Sequence, residues 1–195
     1  GIIRAVFGLS ELYVGLFITT TVVGYTLALA PSGALVDAYG DRRIMLAAIG
    51  VLMLGLVGVT IAPSYPALLL AGLVLGAGYA PAMPASNRGI VAAAPAGHAN
   101  LAMGLKQVGV TTGSAIASIL ITTLAAVAAW QSGFLLIAAV SGGFAVAFAV
   151  RYQGVGGGGQ MRRPDFGQLR GTTGYLPLVA AGVVVGATIF TTLSY

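Results

Sequence analysis

The sequence predicts an all-α integral membrane protein, on the evidence of its composition, its long uncharged stretches and the placement of its basic residues. Of its 195 residues, 58% are hydrophobic and only 7% are charged, against about 25% charged residues in an ordinary soluble domain. A disordered chain would be far less apolar. The composition therefore excludes a cytosolic enzyme, a nucleic-acid binder and a disordered tail. Because the chain has no cysteine, it offers no disulfide, thiol nucleophile or thiolate metal site.

Four uncharged stretches place the helices. Residues 12–36 and 171–195 are 25 residues each, and residues 44–87 and 107–150 are 44 each. A bilayer core of about 30 Å needs roughly 20 helical residues per crossing. Each shorter stretch therefore holds one crossing, and each longer one holds two crossings joined by a short loop. The six transmembrane helices are predicted, in order, near residues 12–36, 44–62, 66–87, 101–129, 131–150 and 174–195.

The basic residues predict how these helices thread the membrane. Arg42 and Arg43 follow the first helix, Arg88 follows the third, Lys106 lies just inside the fourth, and four arginines lie within 151–170. Eight of the nine basic residues thus fall on one side, which the positive-inside rule assigns to the cytoplasm. The amino terminus is then expected on the outside.

A Gly-rich polar segment separates the last two predicted helices. Residues 151–173 contain the run Gly156 to Gly159 and then Arg162-Arg163-Pro164. Glycine runs are flexible and proline ends helices, so we expect a cytoplasmic linker that acts as a plain tether.

The connection between the first two helices carries the most specific motif. Residues 33–43 read Gly-Ala-Leu-Val-Asp-Ala-Tyr-Gly-Asp-Arg-Arg. There, Gly33 is expected to allow close approach of a neighbouring helix, and Asp37 to face the positive amino end of another helix. Gly40 is expected to make the tight turn, and Arg42 and Arg43 to anchor at the cytoplasmic headgroups. This segment resembles the G-x-L-x-D-x-x-G-x-R-R signature of the major facilitator superfamily, in the cytoplasmic loop after that family's second helix.

The resemblance extends along nearly the whole chain. Residues 76–89 are similar to the end of the family's fourth helix and residues 102–113 to the start of its fifth. The chain is thus expected to be a fragment covering family helices two to seven, a partial bundle of the family's type. The implied organisation is an extracytoplasmic segment (1–11), most of the N-terminal bundle (12–150), an inter-bundle linker (151–173) and the first helix of the C-terminal bundle (174–195).

The resemblance implies a secondary active transporter of a small solute, working by alternating access as a multi-pass protein of the plasma membrane. Its expected partners are the lipid bilayer, a small-molecule substrate and the missing helices of the full-length transporter, with no nucleic acid. No cofactor or metal is expected. The substrate, the coupling ion and the direction of transport are not predicted.

Lys106 leads the candidates for the solute path, because an ionisable group inside a membrane helix points to function. Its amine either reaches the cytoplasmic headgroups, or attracts an anionic substrate or pairs with a missing helix. Hydroxyls on the same helix face either bond to their own backbone or line a water-filled cavity. The candidates are Tyr25, Tyr79, Asn87, Lys106, Gln107, Thr111 and Ser114.

Two other classes are weighed against a transporter. An intramembrane enzyme needs a base beside a nucleophile, or a pair of carboxylates, but His98 lies in a loop and no acidic residue lies in a helix core. No enzyme is therefore expected. A non-transporting helical scaffold would be consistent with small residues four apart, which allow helices to pack closely. These pairs are Gly72 with Gly76, Gly109 with Gly113, and Gly182 with Gly186.

Overall fold

The computed structural model of this protein describes residues 7–8, 10–156, 177, 179–181 and 184, and these residues contain helices and connections but no strand. The six helices between residues 11 and 151 are α1 (Glu11–Tyr39), α2 (Asp41–Ile61), α3 (Tyr65–Tyr79), α4 (Ala82–Ala93), α5 (Ala99–Val127) and α6 (Gln131–Arg151). With α3 and α4 taken together, five helical spans in this part of the chain are long and apolar enough to cross a membrane. The predicted all-α membrane fold is confirmed.

The chain divides into two compact units, Gly1–Arg162 and Arg163–Tyr195. Helices α1 to α6 all belong to the first unit. In the second unit, residues 177, 179–181 and 184 are helical. The sixth predicted helix, near 174–195, otherwise lies outside the described residues, as does most of the predicted linker.

The third predicted crossing, near 66–87, is interrupted and longer than expected. It consists of Tyr65–Tyr79 and Ala82–Ala93. Pro81 and Pro84 lack the N–H that a continuous helix would need at these positions, and a proline ring also clashes with the preceding turn. The second segment ends just before Pro95, which disfavours helical backbone in the residue that precedes it.

Helices α1 and α3 pack through a seam of small residues, the glycine seam (Gly24, Gly72 and Gly76). A Cβ atom at Gly76 would overlap the carbonyl oxygen of Thr21, and one at Gly24 would overlap that of Leu73. A Cβ at Gly72 would lie 2.9 Å from the Thr21 hydroxyl. The expectation that Gly72 and Gly76 allow close helix packing is therefore confirmed.

The other predicted glycine pairs do not form such a seam among the described residues. Cβ atoms at Gly109 and Gly113 would meet no heavy atom within 4 Å. The reason is that α5 has no buried residue and contacts only its neighbours α4 and α6 extensively. Gly182 and Gly186 lie outside the described residues.

Aromatic side chains cluster at one end of the bundle. The rings of Tyr13 and Tyr65 are 5.1 Å apart, and the Tyr65 hydroxyl donates to the carbonyl of Tyr13 at 2.8 Å. Trp130 packs edge-on against Phe7 and Phe134, at centroid distances of 6.3 and 6.1 Å. Such rings suit a membrane–water interface. The charged residues of the next subsection lie at the other ends of these helices.

Candidate functional site

Gly40 alone connects α1 to α2. Its φ of 85° lies in the left-handed region, which glycine enters without the steric cost that a Cβ brings. Its N–H donates to the carbonyl of Val36 at 2.9 Å, closing the end of α1. The predicted tight turn at Gly40 is confirmed. It starts α2 directly at Asp41, so both aspartates of the motif lie at the same end of the bundle, the charged end.

Asp37, in the last turn of α1, pairs with Arg88 on α4. The Arg88 Nη1 atom lies 3.1 Å from the Asp37 Oδ1 atom. The same guanidinium donates to the carbonyls of Val36 at 3.1 Å and Gly156 at 2.9 Å. Among the described residues the counter-charge of Asp37 is thus a side chain, and its expected place at the amino end of another helix stays a prediction. Arg88 itself lies within α4. Its guanidinium bonds a carbonyl at the end of α1, where a positive charge complements the helix dipole.

Asp41 is the buried charge of this end, with 2% of its surface exposed. Its Oδ2 atom accepts a hydrogen bond from the Tyr152 hydroxyl, and its Oδ1 atom accepts one from the Val155 N–H at 2.9 Å. A buried carboxylate needs such partners to offset its lost hydration. Sequence reasoning missed this site. The only signals were an aspartate at an unassigned motif position and a tyrosine where the linker begins.

Two glycines make room for these contacts. A Cβ at Gly154 would lie 2.8 Å from the Arg42 Cβ and 3.2 Å from the Asp41 Oδ1, and the φ of 77° at Gly154 also favours glycine. On α4, a Cβ at Gly89 would overlap the Tyr152 hydroxyl. The backbone of the linker can therefore approach the start of α2 only because these side chains are absent.

The contact with Asp41 changes the acidity of Tyr152. Burial raises the pKa of Tyr152, and the hydrogen bond to Asp41 and the negative charge of that carboxylate raise it further, to about 12. Each effect disfavours the phenolate. Tyr152 therefore remains a hydrogen-bond donor to Asp41 throughout the physiological pH range.

Arg42 and Arg43, predicted to anchor at headgroups, differ from each other. Arg42 is half-buried and its Nη2 atom donates to the carbonyl of Ala149 at 2.5 Å. That carbonyl is in the last turn of α6, where no intrahelical donor is available. Arg42 thus also bonds to α6, and its expected role at the headgroups stays a prediction. Arg43 is exposed, and its proposed role at the headgroups stays a prediction.

Gly33 also departs from its expected role. A Cβ there would meet no heavy atom within 4 Å among the described residues. Gly33 follows Gly24 by nine positions, which turns it about 180° around the helix. Because Gly24 faces α3 in the glycine seam, Gly33 faces away from it. Close approach of a neighbouring helix at Gly33 is therefore not observed.

Four of the seven candidates for the solute path form two pairs. The Lys106 Nζ atom donates to the Asn87 Oδ1 atom at 2.5 Å, joining α5 to α4. The rings of Tyr25 on α1 and Tyr79 on α3 are 5.5 Å apart and inclined by 33°. Both pairs lie within the predicted membrane spans.

The other three candidates, Gln107, Thr111 and Ser114, are exposed on α5 and are not brought to these pairs. The Thr111 hydroxyl bonds to backbone carbonyls one turn earlier, at 3.0 and 3.1 Å. Ser118 and Thr122 do the same. The hydroxyls of Thr111, Ser118 and Thr122 therefore bond to the backbone of their own helix, which is the first of the two predicted alternatives.

No cluster of three or more His, Asp or Glu side chains suited to a metal ion occurs among the described residues. The polar contacts of the charged end are therefore the Asp37–Arg88 ion pair and the hydrogen bonds of Asp41, Arg42 and Arg88.

The family profile of the Major Facilitator Superfamily matches residues 2–195 of this chain. The chain belongs to the Major Facilitator Superfamily. The predicted family resemblance is thus confirmed, and the charged end contains part of the segment 33–43 that resembles the family's loop signature. Major Facilitator Superfamily proteins are in general transporters of small solutes and not enzymes. With five apolar helical spans, the chain is part of a multi-pass membrane protein in contact with the lipid bilayer.

A solved Major Facilitator Superfamily structure shares this fold. It is the crystal structure of a mutant of the peptide transporter POT in complex with sulfate, with a TM-score of 0.62 and 18% sequence identity. The match covers 96% of this chain and 38% of that chain. The chain thus spans well under half the length of this transporter. At this identity the likeness shows the fold alone.

Proposed function

We propose that the chain is part of a secondary active transporter that moves a small solute across the plasma membrane by alternating access. Residues 12–150 would form most of one helical bundle, residues 151–173 the linker, and residues 174–195 the first helix of a second bundle. In this mechanism one bundle rocks against the other around a site near the middle of the membrane. The family and the fold support this proposal, and a non-transporting scaffold or an intramembrane enzyme is not favoured.

The observation that carries the proposal is the Lys106–Asn87 hydrogen bond. Asn87 lies six residues before the end of α4, which is about 9 Å along a helix. The amine therefore bonds a side chain of α4 close to the charged end, one position before Arg88. An ionisable group inside a membrane helix points to function, and a scaffold does not need it.

The charge of this pair favours an anionic solute. The partner of Lys106 is a neutral amide, and among residues 10–156 no carboxylate forms an ion pair with it. The pair therefore keeps one positive charge, which would attract a carboxylate or phosphate group. Tyr25, Tyr79, Gln107, Thr111 and Ser114 remain proposed members of the same path.

Uptake by proteoliposomes tests the proposal. The full-length transporter is reconstituted and offered small carboxylates, inorganic phosphate and uncharged sugars, with Lys106→Gln, Lys106→Arg and the control Thr122→Val beside it. We expect uptake of an anion, with KM raised about tenfold or more in Lys106→Gln, since a hydrogen bond to a charged group is lost. Lys106→Arg should keep most of the affinity, and Thr122→Val all of it, because the Thr122 hydroxyl is exposed and bonds to its own helix.

Two results would contradict the proposal. If no solute in the panel is taken up, the transport function fails. If uptake occurs but its KM is the same in Lys106→Gln, transport stands and the role of Lys106 fails. The 195-residue chain reconstituted alone should not transport, because alternating access needs both bundles.

A further inference from the structure

The first residues after α6 do not leave the bundle but fold back over the α1–α2 turn. We call Tyr152, Val155 and Gly156, with their partners Asp41 and Arg88, the linker clasp. Tyr152 and Val155 use both carboxylate oxygens of Asp41, and Gly156 accepts from Arg88 at 2.9 Å. A plain tether, as expected for 151–173, would make no such contacts. For residues 152–156 that expectation is wrong.

The clasp depends on a specific backbone path. Gly154 and Gly156 both adopt a φ of 77°, which favours glycine. Gly154 lies against Arg42 and Asp41, and Gly89 leaves the space that the Tyr152 hydroxyl occupies. Glycines in the linker and in α4 thus both make room for the same contact. The clasp therefore depends on the sequence of both segments.

Arg88 connects the clasp to the family's loop signature. One guanidinium holds the Asp37 carboxylate and the Val36 carbonyl at the end of α1, and also the Gly156 carbonyl of the linker. The end of α1 and the start of the linker therefore bond to the same half-buried side chain, that of Arg88. Displacing the linker therefore removes one of the contacts that orient Arg88 toward Asp37.

We propose that the linker clasp couples the start of the inter-bundle linker to the Asp37–Arg88 ion pair, with Tyr152 as the residue that positions the linker. Release of either side loosens the other, because coupling between two sites is reciprocal. A pull on the linker by the second bundle then reaches the end of α1. This role in gating rests on the proposed transport function, whereas the coupling itself does not require transport.

Amide hydrogen exchange of the full-length protein in lipid nanodiscs tests the coupling. In Tyr152→Phe, we expect exchange to rise about tenfold or more at residues 152–156, because a hydrogen bond to a buried carboxylate is lost. It should also rise several-fold at residues 36–39, to which Tyr152 makes no hydrogen bond. In Asp37→Asn, exchange should rise at residues 152–156. Tyr39→Phe is the matched control, since that exposed hydroxyl makes no hydrogen bond among the described residues.

The results separate a coupled clasp from a local contact. If Tyr152→Phe changes exchange only at residues 152–156, or if Asp37→Asn leaves those residues unchanged, the coupling is overturned. If neither region changes, the clasp itself is overturned. Gly154→Ala, which opposes the same backbone path without removing a hydroxyl, should reproduce Tyr152→Phe and replaces it if that variant does not fold. Absence of solute uptake by the unmodified full-length protein would concern the transport function alone, because hydrogen exchange measures the coupling without transport.

Discussion

The hydroxyl of Tyr152 donates a hydrogen bond to the carboxylate of Asp41, 111 positions earlier in the chain. The bond joins the residue that follows α6 to the start of α2. Asp41 is almost fully buried, so its charge depends on this donor and on the Val155 N–H. A residue that the family signature leaves unassigned is therefore the centre of the charged end.

Alkaline titration should distinguish Tyr152 from the other tyrosines at this end. With its pKa raised from the usual 10.0 to about 12, the stability that Tyr152 contributes is fully present below pH 10 and is lost as the pH rises through about 12. Tyrosinate absorbance of the purified protein should show a late step that is missing in Tyr152→Phe. In Asp41→Asn that step should move to lower pH. An unchanged late step in Asp41→Asn would contradict the assignment.

The Asp37–Arg88 ion pair should contribute less to stability than Arg88 does. The two side chains are 68% and 31% exposed, so Asp37→Asn should cost at most about 1 kcal/mol, and less at high salt. Arg88→Lys keeps the charge but loses the planar group that holds Val36 and Gly156, and should cost more. Thermal unfolding in detergent at two salt concentrations measures both. A larger cost for Asp37→Asn would be contrary to this geometry.

The glycine seam should not accept even one methyl group. Gly76→Ala places a Cβ against the Thr21 carbonyl and 2.7 Å from the Tyr25 N atom, so the helices must separate, at a cost of about 1–3 kcal/mol. Gly109→Ala is the matched control, because its Cβ meets open space and alanine favours helix. Unfolding of both variants in the same detergent measures the difference. Equal stability of the two would rule out tight packing of α1 on α3.

Asn87→Asp should inactivate the proposed anion site while keeping the side-chain shape. The new carboxylate would form an ion pair with Lys106 and neutralise the charge offered to the solute. We expect uptake of the anionic solute to fall about tenfold or more, while Asn87→Gln loses less. The measurement is uptake by the full-length transporter at several solute concentrations. Unchanged KM in Asn87→Asp would place the solute elsewhere.

The helices could be predicted because lipid restricts them so strongly. A chain must satisfy its backbone within each crossing, so uncharged stretches of the right length give five crossings. Their ends agree within three residues, as in α2 and α6, except that the third crossing ends six residues later than predicted. The single-residue turn at Gly40 was predictable for a similar local reason, since its spacing and conformation belong to one short motif. Pro81 and Pro84 indicate the interruption of the third crossing, but both lie within one uncharged stretch, which by its length alone predicts a continuous helix.

The charged contacts could not be predicted because they are long-range. Arg42 bonds to a carbonyl 107 positions later, and Arg88 reaches both 52 positions back and 68 forward. Positive-inside reasoning assigns such residues to a side of the membrane but not to a partner. Gly33 illustrates the same limit: a small residue shows where helices can approach, whereas the face that they use depends on the assembled bundle.

The interruption at Ala80 and Pro81 gives one transmembrane crossing a joint. Pro81 and Pro84 remove two backbone donors, so fewer backbone hydrogen bonds join the two segments than in a continuous helix. The segment before the joint is fixed in the glycine seam, while the segment after it holds Asn87 and Arg88. Within a single crossing, the part fixed by close helix packing and the part that bears the polar contacts are therefore two separate helical segments.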